Sequence, residues 1–217
     1  ALESFELDQQ IDMFDVVIVI HPNNPSGETF DRQRLLNWQQ RLQMRNGWLI
    51  VDEAFLDITP EQSLAPFPCQ HGLIILRSLG KFFGLAGVRV GFVITHPDLL
   101  KQIAEKSGPW PIATASRWIA SQALADKNWQ QQSRQYLPQH AQRLTELLGQ
   151  YKLAPSGGCA LFQWVKTAHA ASIHHQLAQQ GILCRLFDRP AALRFGLPAT
   201  EQDWLRLETA LQKVEQP

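Results

Sequence analysis

Residues 16–27 read VVIVIHPNNPSG, an apolar and β-branched run that stops abruptly at a segment rich in proline and asparagine. Such a run is typical of a strand buried on both faces of a parallel sheet, followed by a polar loop at its carboxyl end. Ligands of open α/β sheets gather at those carboxyl ends. The loop at 21–27 is therefore a candidate site segment.

The sequence after this loop predicts a helix and three further strands. Asp31 can cap the helix and Gly47 can end it. Its apolar residues recur at helical spacing: Leu35, Leu36, Trp38 and Leu42. The strands are predicted at WLIV 48–51, LIIL 73–76 and VGFVI 90–94, and Pro97 suits the first turn of a following helix. Residues 14–95 thus predict the order β-α-β-β-β.

The second half of the chain predicts long helices followed by short strands and helices. Residues 115–150 read as long helices with a kink or a new start at Pro138. Short strands are predicted at 157–165, 182–187 and 192–197, and helices at 168–180 and 200–214. The predicted fold is α/β, a mostly parallel sheet flanked by helices in a large domain (1–125), followed by a small α+β domain (126–217).

Composition favours small-molecule chemistry. Twenty Lys plus Arg balance twenty Asp plus Glu, so no net field attracts nucleic acid or an anionic membrane. No apolar run reaches the roughly 18 residues of a membrane span. The cysteines, Cys69, Cys159 and Cys184, have no close spacing, which argues against a disulfide framework or a zinc site. We expect a cytoplasmic protein with free thiols and no metal.

Four short motifs follow one another in the first half: HPNNPSG 21–27, VDEAF 51–55, RSLGKFF 77–83 and RVG 89–91. In order, they offer an amide, a carboxylate, an amine with a hydroxyl beside it, and a guanidinium. Lys81 has apolar neighbours in sequence, and Arg77 and Arg89 add positive charge. Both conditions lower the pKa of an amine that attacks an aldehyde. Together the motifs predict a site for pyridoxal 5'-phosphate (PLP).

Each residue also has a simpler interpretation. Asn24 is an ordinary turn residue. Asp52 can be a cap or surface acid, with Glu53 beside it able to fill the solvated role. Lys81 can be a surface lysine with its stem packed on apolar residues. The order of the motifs, and no single residue, carries the PLP prediction.

The chain resembles the fold-type I PLP enzymes, the aspartate aminotransferase superfamily. Within it the sequence resembles the histidinol-phosphate aminotransferase branch and, most closely, the threonine-phosphate decarboxylases of cobalamin biosynthesis. The finer resemblance rests on four segments: RSLGKFFGLAGVRVG 77–91, GPW 108–110, SRWIASQALA 116–125 and LRFGLP 193–198. It covers nearly the whole chain.

The resemblance implies a role for each candidate residue. Lys81 would bind the PLP aldehyde covalently, and Asp52 would hold the ring nitrogen; these two would be the catalytic residues. Asn24 would hydrogen-bond the ring oxygen O3′, and Ser78 with Arg89 would bind the cofactor phosphate. Arg194, otherwise a surface arginine at a strand edge, would bind the substrate carboxylate as a bidentate pair.

The resemblance also implies alternatives and departures. Many relatives have a tyrosine where this chain has Phe55, so one hydrogen bond to O3′ is expected to be missing. The family has further residues before the segment that matches Ala1, so we expect a truncated chain. Three functions remain open: decarboxylation of L-threonine O-3-phosphate, transamination of the histidinol-phosphate type, and an inactive PLP-fold domain. The family implies a small phosphorylated amino acid as substrate and a homodimer as the assembly.

Overall fold

The computed structural model describes residues 4–67 and 71–215. These residues form two compact units. The first contains the chain up to Asn23 together with Thr29–Gln130, and the second contains Asn24–Glu28 together with the chain from Gln131 onward. The domain boundary after residue 125 stays a prediction. Cys69 lies outside the described residues.

The first unit contains one four-stranded sheet and the helices around it. Its elements are α1 (Ser4–Gln10), β1 (Val16–Ile20), α2 (Arg32–Gln43), β2 (Trp48–Asp52), β3 (Leu73–Ser78), β4 (Gly91–Thr95), α3 (Pro97–Ser107) and α4 (Thr114–Ala125). The strand order is β1-β2-β3-β4, with β1, β2 and β3 parallel and β4 antiparallel to β3. The predicted β-α-β-β-β order and the mostly parallel sheet are confirmed.

Helix α2 covers one face of this sheet. It ends at Gln43, and the left-handed residue after it is Asn46 with φ 59°, so the prediction that Gly47 ends it is wrong. The Asp31 carboxylate accepts hydrogen bonds from the second and third backbone amides of the helix, as predicted. Leu35, Trp38 and Leu42 are fully buried against the strands, which stabilises the unit by about 1.5–3 kcal/mol for each side chain. Gly47 is needed for a close approach, since a Cβ there would lie 2.7 Å from the carbonyl oxygen of Asp15.

The prediction that β1 is buried on both faces is wrong for this chain. Val17 and Val19 are buried, but Val16 is 50% exposed and Ile18 is 68% exposed. The physical reason is that β1 is an edge strand and, within the described residues, nothing covers the face that Val16 and Ile18 share. An apolar run alone does not distinguish a strand covered on two sides from one covered on a single side.

The second unit contains an antiparallel sheet and three helices. Its elements are α5 (Lys127–Gln150, which begins in the first unit), β5 (Gly157–Cys159), β6 (Phe162–Lys166), α6 (Ala170–Gln179), β7 (Arg185–Asp188), β8 (Ala191–Gly196) and α7 (Glu201–Gln212). The strand order is β5-β6-β8-β7. Pro138 lies inside a continuous α5, so the alternative of a new helix start is wrong.

The core of the second unit lies between its helices and its sheet. Leu148, Leu177 and Trp204 come from α5, α6 and α7, and they pack with Phe195 of β8. Helix α7 begins with a capping box in which the side chains of Thr200 and Asp203 each bond the other's backbone amide. The helices predicted in this half are present. The strand predicted at 157–165 is two antiparallel strands, β5 and β6, and β7 begins at Arg185, later than the predicted start at 182. Across residues 4–67 and 71–215, no helix combines the length and apolar character needed to cross a bilayer.

Candidate active site

Asp52 is the last residue of β2, at the carboxyl end of the parallel strands. Its side chain is half-buried, and its Oδ1 accepts a hydrogen bond from the Ala54 amide at 2.9 Å. The His21 amide donates to the Asp52 carbonyl oxygen at 2.8 Å, which extends the β1–β2 ladder past the strand end. In the part of the chain that the structure describes, no cation pairs with this carboxylate. Asp52 can therefore accept a cationic group.

Lys81 follows β3 in a loop that turns back towards β4. Its Nζ lies 5.4 Å from the centroid of the Phe55 ring, and Phe55 is three residues beyond Asp52. The next two residues, Phe82 and Phe83, are buried edge-to-face and pack on Trp129, which fixes the loop. The lysine itself is exposed, so the expectation of a desolvated amine is not met by the residues described. No described carboxylate forms an ion pair with it.

Ser78 and Arg89 are held at the same end of the sheet. Ser78 is the last residue of β3 and pairs with Gly91 of β4, two residues after Arg89. The Ser78 hydroxyl accepts a hydrogen bond from the Gly80 amide at 3.1 Å. Arg89 adopts a left-handed conformation with φ 57° and is exposed, and its guanidinium donates to the Ala86 carbonyl oxygen at 3.2 Å. A hydroxyl and a guanidinium that has no acidic partner among the described residues suit one phosphate group.

Arg77 and Glu53 form a buried ion pair, whereas the sequence predicted a free positive charge near Lys81 and a solvated acid. Glu53 is fully buried, so the interpretation of it as a solvated acid is wrong. Its carboxylate accepts hydrogen bonds from Arg77 at 3.0 Å, from Ser63 at 2.5 Å and from the Leu64 amide at 2.8 Å. Arg77 also pairs with Asp57 at 2.5 Å. Its charge is therefore matched by two acids. Arg89, the other expected cation, has no acidic partner in the described part of the chain.

Asn24 and Arg194 belong to the second unit, where they are in direct contact. Arg194, in β8, donates a hydrogen bond to the Asn24 side-chain oxygen, and its guanidinium lies 5.2 Å from the centroid of the Phe162 ring. The Asn24 loop packs closely on β5, since a Cβ on Gly27 would lie 1.9 Å from the Gly158 carbonyl oxygen. With its oxygen engaged by Arg194, Asn24 keeps its amide nitrogen as a donor.

Arg185 is a candidate that the sequence analysis missed. It lies directly opposite Arg194 in the antiparallel β7–β8 pair, so both side chains lie on the same face of the sheet. Burial, and next the positive charge of Arg185, lower the pKa of Arg194 below its usual value. Two arginines placed together in this way can bind an anion. The sequence signal was the turn at Arg189 and Pro190. A two-residue hairpin turn there pairs Asp188 with Ala191, and therefore Arg185 with Arg194.

His21 is a second missed residue. It is fully buried directly after β1, and its Nδ1 accepts a hydrogen bond from the Phe30 amide at 3.1 Å. Its Nε2 is buried and has no hydrogen-bond partner among the described residues. Burial lowers the pKa of His21 to about 4, which keeps the ring neutral at physiological pH. A histidine that ends a buried apolar run was the available signal.

The predicted site residues thus fall into two groups, one in each unit. Asp52, Lys81, Ser78 and Arg89 lie at one end of the sheet in the first unit, while Asn24 and Arg194 meet in the second. The sequence model of the protein family "Aminotransferase class I and II" matches residues 4–215. The chain belongs to this family. Its fold-type I architecture is therefore shown, as the sequence motifs predicted.

Individual relatives agree with the family assignment. The threonine-phosphate decarboxylase of Pseudomonas aeruginosa is 48% identical over 212 residues, which are 98% of this chain and 64% of that protein. A crystal structure of histidinol-phosphate aminotransferase from Clostridium acetobutylicum matches 99% of this chain and 68% of its own, with a TM-score of 0.88 and 23% identity. The Sinorhizobium meliloti enzyme of the same name, in complex with pyridoxal-5'-phosphate, matches 97% and 59%, with a TM-score of 0.81 and 24% identity.

The chain spans 64% of the length of the Pseudomonas decarboxylase, which is less than two thirds. The two crystal structures share less than a quarter of their residues with this chain, so the likeness to them establishes the fold alone. The comparisons therefore establish the family and the fold.

Proposed function

We propose that this protein is a PLP-dependent decarboxylase that converts L-threonine O-3-phosphate to aminopropanol phosphate. The observation that carries the proposal is the 48% identity to a threonine-phosphate decarboxylase across 98% of the chain. We further propose that the reaction serves cobalamin biosynthesis in the cytoplasm. The free cysteines Cys159 and Cys184 are consistent with a reducing compartment.

The donor groups of the first unit fit PLP. The Asp52 carboxylate has one oxygen bonded to the Ala54 amide, which leaves Oδ2 for a protonated ring nitrogen. The Lys81 amine, which no described carboxylate pairs with, is available for the aldehyde, and the Ser78 hydroxyl with the Arg89 guanidinium suits the phosphate. When bound, PLP supplies an electron sink for the bond that breaks at Cα.

Each residue then has a distinct task in our proposal. Asp52 keeps the ring nitrogen protonated by placing a negative charge beside it. Lys81 holds the cofactor between turnovers and, once substrate has taken its place, has a free amine that can carry a proton to Cα. The reaction breaks the bond from Cα to the carboxylate carbon. Carbon dioxide leaves, the electron pair stays with Cα, and a proton adds there.

The two arginines of the second unit support an anionic substrate. L-Threonine O-3-phosphate carries a carboxylate and a phosphate, and Arg194 with Arg185 presents two guanidinium groups on one sheet face. We assign the carboxylate to Arg194 and propose Arg185 as a cation for the phosphate. Because each guanidinium can form paired bonds with such groups, plain threonine should bind much more weakly.

Transamination of the histidinol-phosphate type is the second candidate. The family includes aminotransferases, and the fold matches one with a TM-score of 0.88. The same residues would serve it, because the two reactions differ in which bond at Cα lies perpendicular to the cofactor ring. The products distinguish them: decarboxylation releases carbon dioxide and keeps the amine, whereas transamination transfers the amine to the cofactor.

A homodimer is the assembly that we propose. Trp110 is 88% exposed and Trp118 is 66% exposed, both in the first unit, and exposed aromatic residues of this size are typical of surfaces that meet another chain. Sedimentation of the PLP-loaded protein measures the assembly directly.

The function is tested by assaying the purified, PLP-loaded protein on three substrates. We expect carbon dioxide release from L-threonine O-3-phosphate, and much slower release from plain threonine. Arg185→Ala should raise KM for the phosphorylated substrate while leaving the slow reaction with threonine unchanged. Faster turnover of histidinol phosphate with 2-oxoglutarate would instead establish the aminotransferase.

A further inference from the structure

Three metal-ligating side chains meet at the end of the first unit's sheet that is farthest from Lys81. His71 lies two residues before β3, His96 directly follows β4, and Asp98 is in the first turn of α3. Strands β3 and β4 are antiparallel, with Ile74 opposite Thr95. The residues just before β3 and just after β4 are therefore neighbours, and this register brings the two histidines together.

The geometry of the cluster is compact. One ligand atom from each of the three residues lies within 4.8 Å of the other two. The imidazole rings are stacked, with centroids 3.6 Å apart, and His96 Nδ1 is 3.4 Å from an Asp98 carboxylate oxygen. Two ligands of one zinc ion lie roughly 3.3 Å apart, given bonds of about 2.0–2.1 Å and tetrahedral angles. Binding would therefore require the side chains to rotate so that the two rings unstack and the ligand atoms approach one another.

The backbone that carries these ligands is held firmly. The fully buried Gln39 donates its side-chain amide to the His71 carbonyl oxygen at 2.8 Å. The buried Thr95 hydroxyl, next to His96, donates to the Leu73 carbonyl oxygen at 2.6 Å. Anchored positions lose less conformational freedom when an ion binds, which favours binding.

We propose that His71, His96 and Asp98 bind a divalent transition-metal ion of the Zn²⁺ class. Two imidazoles and one carboxylate are the ligands that suit zinc, nickel and copper, whereas magnesium and calcium prefer oxygen ligands alone. Water completes the coordination, because the cluster lies at the surface. The ion would join the start of β3 to the start of α3, and it would have a structural role, away from the proposed chemistry.

Sequence alone did not indicate this site. The two histidines belong to different strand ends, so they form no local motif of the kind that identifies a zinc site. Only the antiparallel β3–β4 register connects them.

The test is zinc binding by the purified protein in competition with a chromophoric chelator at neutral pH. Wild type should bind one ion that His71→Ala and His96→Ala lose or bind at least tenfold more weakly, since losing even a hydrogen-bond partner of a ligand costs on the order of 10- to 100-fold. His175→Ala, which removes an exposed histidine of α6, is the matched control and should bind as wild type does. Every variant keeps all three cysteines, so zinc held by thiols is common to all.

Two further measurements guard against misfolded variants. Zinc should raise the Tm of wild type and of His175→Ala but leave that of His71→Ala unchanged, because an ion that binds only the folded state stabilises it. Asp98→Asn keeps the side-chain size and should also weaken zinc binding. Equal zinc affinity in wild type, His71→Ala and His96→Ala, or in wild type and Asp98→Asn, would overturn the proposal.

Discussion

Glu53→Ala removes a buried carboxylate on which the first unit depends. Glu53 is fully buried and accepts three hydrogen bonds, including one from Arg77 and one from the Leu64 amide. Breaking a buried ion pair from one side costs about 3–5 kcal/mol, because the remaining charge is left buried. Arg77 keeps Asp57 as a partner, which limits that part, but the Leu64 amide loses its acceptor at a cost of about 1–3 kcal/mol.

We therefore expect Glu53→Ala to lower the free energy of unfolding by about 3–4 kcal/mol, a large share of the roughly 5–15 kcal/mol of a typical domain. Urea denaturation followed by circular dichroism measures it. Glu53→Gln, which keeps the size and the acceptor oxygen, should lose less. The control is Glu201→Ala, which breaks an exposed pair with Arg143 and should change stability little. The reasoning is refuted if Glu53→Ala is no less stable than this control.

Three other outcomes are expected. Asp52→Ala should cut turnover of the PLP-loaded protein by on the order of a thousandfold, which is the effect of losing one preorganised electrostatic contact. Near-normal turnover would show that Asp52 only caps the strand. Burial lowers the pKa of His21 to about 4, so the unfolded chain takes up the proton at a higher pH than the folded protein does. The free energy of unfolding should therefore fall as the pH drops below about 6.5. His21→Gln should flatten this pH dependence, and a variant with the same pH dependence as wild type would contradict the explanation. The exposed face of β1 should make the protein self-associate; Ile18→Lys should reduce the association seen by sedimentation, and a wild-type protein that sediments as a monodisperse monomer would contradict the prediction.

The order of the elements could be predicted because it depends on local patterns. The apolar runs at 16–20 and 73–76 and the cap at Asp31 act over a few residues, and the structure has a strand or helix start at each of them. The exposure of Val16 and Ile18 could not be predicted, because it depends on what covers the sheet. Burial is a property of the assembled layers and leaves no mark on an apolar strand sequence.

In the candidate site, too, the positions set by local sequence could be predicted and the contacts set by the assembled fold could not. Asp52, Lys81 and Ser78 could be placed at strand ends, since the motifs themselves lie at the boundaries of the apolar runs. The buried pairing of Arg77 with Glu53 could not be foreseen. Side chains alternate along β3, so Arg77 and Ser78 point to opposite faces, but the sequence does not say which face holds a buried acid. The contact between Arg194 and Asn24 depends on the fold of the second unit, where residues distant in sequence meet.

The most direct test of the central proposal is to locate the cofactor on the chain. The PLP-loaded protein is reduced with borohydride, digested and mapped by mass spectrometry. We expect the reduced cofactor on Lys81, and its loss in Lys81→Ala but not in the matched surface variant Lys101→Ala. Cofactor found on Lys101 or Lys106, or retained by Lys81→Ala, would contradict the assignment of Lys81 and the active site built around it.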